Sequence, residues 1–248
     1  MRLKIGLNLT RNYSSNFSLP RRRVKLIKFI IIHYTGMKNE SKAIERLCNF
    51  KSKVSSHYFI KNNGKVINLV PDLYEAWHAG KSYWKNYKSL NKYSIGIEIN
   101  NPGHSYKYEH FSLKQILSLK KLLKYLIKEY KIKPYNVLGH SDIAPNRKKD
   151  PGEKFPWQKL SRDKLCIWHD LDENKIIKFR KVKISLLEDK IFLKNLYKIG
   201  YHNFQKIKFD KKKVFLVKAF QRKFRPNLIN GKIDKECFLI SKSLIKSH

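Results

Sequence analysis

The feature that most constrains the fold is the run Val24-Lys25-Leu26-Ile27-Lys28-Phe29-Ile30-Ile31-Ile32, which ends at His33. Its β-branched and aliphatic character, in so short a stretch, reads as a strand buried on both faces. Such a strand needs apolar cover above and below, so the run predicts a sheet with helices packed on it. The rest of the chain supplies the partners. Ala43, Ile44, Leu47 and Phe50 recur at helical spacing over 40–52. Residues 56–70 alternate like two strands about Asn62-Asn63-Gly64, where Asn-Gly supplies the positive φ of a tight turn. Ser94–Ile99 reads as a further strand, stopped by Asn100, Asn101, Pro102 and Gly103.

The segment 112–130 is the clearest helix. Ser112 and Gln115 have capping-box spacing, and Leu113, Ile116, Leu119, Leu122, Leu123, Leu126 and Tyr130 line one face. A short strand at 136–139 leads into His140 and a loop that runs to Pro156. Alternation of strands and helices predicts an α/β fold, a mixed central sheet flanked by helices. Four parts follow from the changes in pattern: a loosely held polar tail at 1–23, a main domain at 24–162, a linker at 163–181 and a small C-terminal three-helix bundle at 182–248. In the last part Ser185 and Glu188 form a second capping box, Gly200 stops that helix, and Asp210 and Asp234 open two more. By size the bundle is marginal but able to fold alone.

Composition excludes some classes. Aromatic residues at 13% and apolar residues at 42% support a real core. The formal charge of +36 first suggests nucleic acid, yet the cations are 44 lysines and only 11 arginines. Phosphate and base-edge readers lean on the arginine fork. Lysines spread over both domains look instead like the product of an AT-rich coding sequence, so no specific nucleic-acid partner is expected. Cys48, Cys166 and Cys237 are isolated and odd in number, which indicates neither a disulfide framework nor a cysteine zinc site. The opening residues MRLKIGLNLTRNYSS carry charges too early for a signal peptide, offer no cysteine for a lipid anchor, and belong to no transmembrane segment. The default expectation is a soluble monomer without an export address.

Residues that carry chemistry sit at strand ends. His33 closes the buried run, His140 closes the 136–139 strand, and Asp150 closes the loop Ser141–Asp150. Two imidazoles and a carboxylate, with one position left open, make the donor set of a catalytic zinc site. Lys148, two residues before Asp150, can face the same cleft, and Glu98 can bring a carboxylate from a third strand. With nine histidines and 19 acidic residues in the chain, the residues alone leave other triples open.

The strings IIHYT (31–35), SSHYFI (55–60), AWHAG (76–80), SIGIEI (94–99) and GHSDIAPNRKKDPGEKFPW (139–157) resemble the type-2 N-acetylmuramoyl-L-alanine amidases, whose fold is shared with peptidoglycan recognition proteins. LYKIGY (196–201) and AFQRKFRPNLINGKID (219–234) are similar to a three-helix peptidoglycan-binding domain. The domain order resembles the outer-membrane amidases of Gram-negative bacteria that cleave anhydro-muropeptides. The resemblance implies that His33, His140 and Asp150 hold one Zn2+, that Glu98 is the catalytic carboxylate, and that Lys148 stabilises the transition state. It implies that Tyr34 and Thr35 line the substrate, a peptidoglycan strand or muropeptide. The bond cleaved would be the amide from (anhydro-)N-acetylmuramic acid to L-alanine. Non-catalytic relatives lose a zinc ligand, and this chain keeps all three, which favours an enzyme over a pure binding protein. His57, Trp77 and His78 fall in these strings as groove-lining or packing residues. His104, His110, His169, His202 and His248 match nothing and are read as surface residues. Cys237 stands where the binding domain usually carries threonine.

Overall fold

The structure is a computed structural model that describes residues 9–201 and 210–246. Its strands are β1 (Leu9–Arg11), β2 (Phe17–Ser18), β3 (Phe29–Tyr34), β4 (Tyr58–Ile60), β5 (Val66–Asn68), β6 (Glu75–Ala76), β7 (Tyr83–Trp84), β8 (Tyr87–Lys88), β9 (Ser94–Ile99) and β10 (Val137–Gly139). Six of them form one mixed sheet in the order β1-β5-β4-β9-β3-β10, while β2 pairs with β6 and β7 with β8. The pairs β4–β9, β9–β3 and β3–β10 are parallel, so these strands end on one edge of the sheet. The helices are α1 (Glu40–Cys48), α2 (Leu113–Tyr130), α3 (His140–Ile143), α4 (Trp157–Arg162), α5 (Glu173–Ile176), α6 (Leu186–Ile199), α7 (Asp210–Phe224) and α8 (Lys235–Lys246).

Both faces of β3 are buried, and its side chains divide between two cores. Ile30 and Ile32 join Ile95, Ile97 and Ile99 of β9 under the apolar stripe of α2, from Ile116 to Leu126. Phe29 and Ile31 face the other way, into a cluster with Trp84, Leu138 and Ile143 that continues to Phe192, Val217 and Phe220 of the C-terminal helices. Each face thus supplies apolar area that a helix layer covers, the arrangement the run 24–32 called for. The strand itself starts later than the run. Val24–Leu26 is a 3-10 turn, and Lys25 and Lys28 are exposed. A fully buried strand cannot hold those ammonium groups, so it begins only after Lys28.

Local signals place most of the helices. The capping box at Ser112 and Gln115 starts α2, and the one at Ser185 and Glu188 starts α6. Asn62-Asn63-Gly64 turns β4 back onto β5 in antiparallel register. The helix read over 40–52 stops at Cys48, where Asn49 caps a separate turn, Phe50–Ser52.

Three segments differ from the sequence reading. Residues 1–8 of the expected tail lie outside the described residues, but residues 9–23 are not loose. They supply β1 and β2, and Arg22 is buried, donating to the carbonyls of Asp72 (2.7 Å), Asn91 (2.9 Å) and Ser94 (2.7 Å). Polar composition suggested solvent, whereas these polar groups satisfy backbone acceptors of distant loops. The expected linker at 163–181 contains α5 and buries Leu165, Cys166, Ile167 and Ile176. The three C-terminal helices share a core with the sheet rather than enclosing one of their own. Among the described residues, no helix is long and apolar enough to cross a membrane.

Candidate metal centre

Sheet topology brings the candidate residues together. His33 lies near the end of β3 in register with Glu98 on β9, and His140 follows directly on β10. Ligand sites in α/β sheets form at the carboxyl ends of parallel strands, where loops are free to vary. The loop after α3 returns Asp150 to the same point, and its carbonyl accepts from Ser141 N at 2.8 Å. His33 Nδ1 lies 2.9 Å from His140 Nδ1, and Asp150 Oδ2 lies 3.0 Å from each. All three residues are buried, and together they form a group that can hold a metal ion.

The hydrogen-bond network fixes what these atoms offer. The Ser94 hydroxyl donates to the Leu90 carbonyl at 2.6 Å, so it accepts from His78 Nε2 at 3.2 Å. His78 Nδ1 is then an acceptor, and His33 Nε2–H donates to it at 3.0 Å. His140 Nε2–H likewise donates to the Ala79 carbonyl at 3.1 Å. With the Nε2 protons committed, a neutral His33 and a neutral His140 each present an Nδ1 lone pair to the other and to Asp150. Burial, reinforced by the neighbouring His140, lowers the His33 pKa to about 4, so its ring is neutral at pH 7. Burial would raise Asp150, but hydrogen bonds and positive charge from His140 and His33, which those rings supply only while Nδ1 carries a proton, overcome it and hold the carboxyl well below the usual carboxylate range. Once those Nδ1 protons are lost, three acceptors about 3 Å apart repel one another unless a cation sits among them. Ligand bonds of about 2.0–2.1 Å in a tetrahedron give edges of roughly 3.3 Å, close to this triangle.

Around the triangle opens a cavity of about 460 Å³ whose lining includes Tyr34, Thr35, Glu98, Arg147 and Lys148. Glu98 keeps some exposure to the cavity, yet its Oε2 is buried and has no partner among the described residues. Burial, with the charge of Asp150, pushes its pKa up to about 8, against the opposing pull of Lys148. Tyr34 contacts His104 Nδ1 through its hydroxyl at 2.8 Å, and His104 meets Glu153 at 3.0 Å. The Thr35 hydroxyl donates to the Asn101 carbonyl at 3.0 Å.

His33, Tyr34, Thr35, Glu98, Lys148, His140 and Asp150 therefore border one space, as do Trp77, His78 and Arg147, the last of which the sequence reading passed over; His57 is buried away from it, with its Nε2 2.9 Å from the Arg22 guanidinium. His78 orients His33, and it fits only because Gly96 has no side chain: a Cβ there would lie 2.5 Å from the imidazole. Arg147 donates to the Lys81 carbonyl at 2.7 Å and holds the 79–81 loop under His140. His104 and His169, read as surface residues, are half-buried and buried respectively, whereas His110 is exposed; His202 and His248 lie outside the described residues.

Fold and site together define a class, α/β proteins that gather a His-His-Asp triad at strand ends beside an open cleft. Comparison with known proteins then gives the family. A profile described as N-acetylmuramoyl-L-alanine amidase matches residues 22–153. The N-acetylmuramoyl-L-alanine amidase AmiD of Escherichia coli is 34% identical over 99% of this chain and 90% of its own length. The 1,6-anhydro-N-acetylmuramyl-L-alanine amidase AmpD of Haemophilus influenzae is 35% identical over 44% of this chain and 58% of its own. Among solved structures, E. coli AmiD in complex with the substrate anhydro-N-acetylmuramic acid-L-Ala-D-γ-Glu-L-Lys superposes with a TM-score of 0.79 at 32% identity, covering 93% of this chain and 92% of AmiD. AmpDh3 of Pseudomonas aeruginosa in complex with anhydromuramic pentapeptide gives 0.78 at 29% identity, covering 93% and 94%. The chain belongs to the N-acetylmuramoyl-L-alanine amidase family.

Proposed function

We propose that this chain hydrolyses the amide between (anhydro-)N-acetylmuramic acid and L-alanine in peptidoglycan or muropeptides, with one zinc ion held by His33, His140 and Asp150. The observation that carries the reading is the convergence of three lone pairs with their outer protons already committed, a donor set that suits a divalent cation. AmiD and AmpDh3, which each cover 93% of the chain, were solved with anhydromuramyl peptides, which supports this substrate class. Bound at the triad, zinc supplies Lewis acidity and lowers the pKa of water toward neutrality.

The chain's own residues do the rest. Glu98, unpaired at the cavity wall, takes the proton from the attacking water as oxygen adds to the amide carbon. It returns that proton to the alanine nitrogen as the C–N bond breaks, the double duty of a general base and acid. Lys148 offers an ammonium to the developing oxyanion. Tyr34, braced by His104, and Thr35, tied to Asn101, line the cleft for the sugar and peptide.

Digestion of purified muropeptides, followed by mass spectrometry, tests the proposal. Zinc-loaded wild type releases an intact stem peptide with a free L-alanine amine. Lys148→Ala lowers kcat by about 10²–10³, the usual cost of one lost oxyanion donor, with a smaller change in KM. Absence of peptide release by the zinc-loaded wild type, with muropeptide still bound, would instead make this a binding protein.

A further inference from the structure

The C-terminal helices reach the metal centre through Asp142. This residue lies two positions after His140 in α3, a helix of four residues. One turn has too few hydrogen bonds of its own to fix its orientation. The Asp142 carboxylate, only 1% exposed, supplies what is missing. Its Oδ2 accepts from Gly139 N at 2.8 Å and from Lys223 Nζ at 3.1 Å, and its Oδ1 accepts from the Tyr201 hydroxyl at 2.8 Å. Tyr201 follows α6 and Lys223 belongs to α7, so two of these three donors come from the C-terminal part. Both are buried, at 0% and 2% exposure. Lys223 Nζ also donates to the Val137 carbonyl in β10 at 3.1 Å and lies 4.4 Å from the Trp157 ring centroid. The strand that delivers His140 and the turn that carries it are therefore held by the same ammonium group.

We propose that Tyr201 and Lys223 are positioning residues for the zinc ligand His140, so that the C-terminal helices are part of the metal centre's support and not only an attachment to the wall. The inference rests on the metal reading above. Loss of Lys223 leaves Asp142 charged and buried with one cation fewer, a state that breaking a buried pair makes costly. The carboxylate then moves toward water, and α3 shifts with it. Loss of the Tyr201 hydroxyl alone strands Oδ1, while the ring keeps its edge contact with Trp84 at 4.9 Å.

The test uses the full chain, stripped of metal. Zinc dissociation constants are measured by chelator competition, and the Co2+-loaded protein is examined by absorption spectroscopy, which senses ligand geometry. Tyr201→Phe raises the zinc dissociation constant roughly tenfold and Lys223→Met up to about a hundredfold, the range found for groups that orient metal ligands. Both shift the cobalt spectrum. Phe192→Leu, a core change within the C-terminal helices, lowers thermal stability but leaves zinc affinity within about twofold and the spectrum unchanged. If Lys223→Met does not fold, Tyr201→Phe carries the test alone, since it removes one hydroxyl and no packing. Wild-type affinity and spectrum in the folded variants would overturn this inference and leave the metal reading standing. A wild-type chain that takes up no zinc would overturn both.

Discussion

Glu98→Gln lowers kcat by about 10²–10⁴, the span for loss of a general acid–base group, and at the same time stabilises the metal-free protein at alkaline pH. The two effects share a cause. The carboxyl sits at the wall of the cleft with its Oε2 unpaired, and its pKa in the folded state is about 8 against an ordinary 4.5. Between those values the folded state holds a proton that the unfolded chain has released, so the stability due to this group is fully present below 4.5 and is lost as pH rises through 8. Glutamine stays neutral and avoids that loss. Denaturation of the metal-free proteins should show the variant more stable than wild type at pH 9, with the difference vanishing at pH 4. Muropeptide turnover by the zinc-loaded proteins should show the opposite ranking. A variant as active as wild type would remove Glu98 from the reaction, and a variant less stable at pH 9 would contradict the buried, unpaired carboxylate.

Arg22→Ala destabilises the fold by about 3–5 kcal/mol, at the high end for a single substitution. Arg22 is 8% exposed, and its guanidinium gives hydrogen bonds to the carbonyls of Asp72, Asn91, Lys92 and Ser94. Burial lowers its pKa to about 10, with Asp72 and Glu75 opposing, so it remains charged at neutral pH. Its removal leaves several buried acceptors without donors, each worth about 1–3 kcal/mol if water does not replace the lost bond. Arg23 is exposed, and Arg23→Ala should stay within about 0.5 kcal/mol of wild type. Urea denaturation of the three proteins checks both values. A loss below about 1 kcal/mol for Arg22→Ala would mean that water fills the site and that residues 9–23 are only loosely attached.

What the sequence made legible was local. Ser112 with Gln115 and Ser185 with Glu188 announce helix starts because both partners lie within one turn, and Asn62-Asn63-Gly64 announces a turn because the φ requirement belongs to those residues. His33, Glu98 and His140 could be placed at or near strand ends for the same reason, and the resemblance then chose them from among the other polar residues. What stayed hidden depends on partners far along the chain. Arg22 has the look of a solvated charge until the loops at 72 and 91–94 bring their carbonyls to it. His78 gains its orienting role only where Gly96 leaves room for an imidazole against His33. Lys223 is one lysine among 44, and nothing in its neighbours along the chain marks it as the cation under Asp142. The C-terminal helices show their apolar stripes in sequence, but a stripe does not say whether it meets two sister helices or also the sheet face below Phe29 and Ile31.

The central claim is that His33, His140 and Asp150 share one metal ion. Metal-stripped protein dialysed against limiting zinc and analysed for bound metal tests it most directly, beside His140→Ala and Asp150→Ala with folding checked by circular dichroism. The account predicts about one zinc per wild-type chain and no tightly held zinc in either folded variant. A folded His140→Ala that retains zinc as tightly as wild type would contradict it.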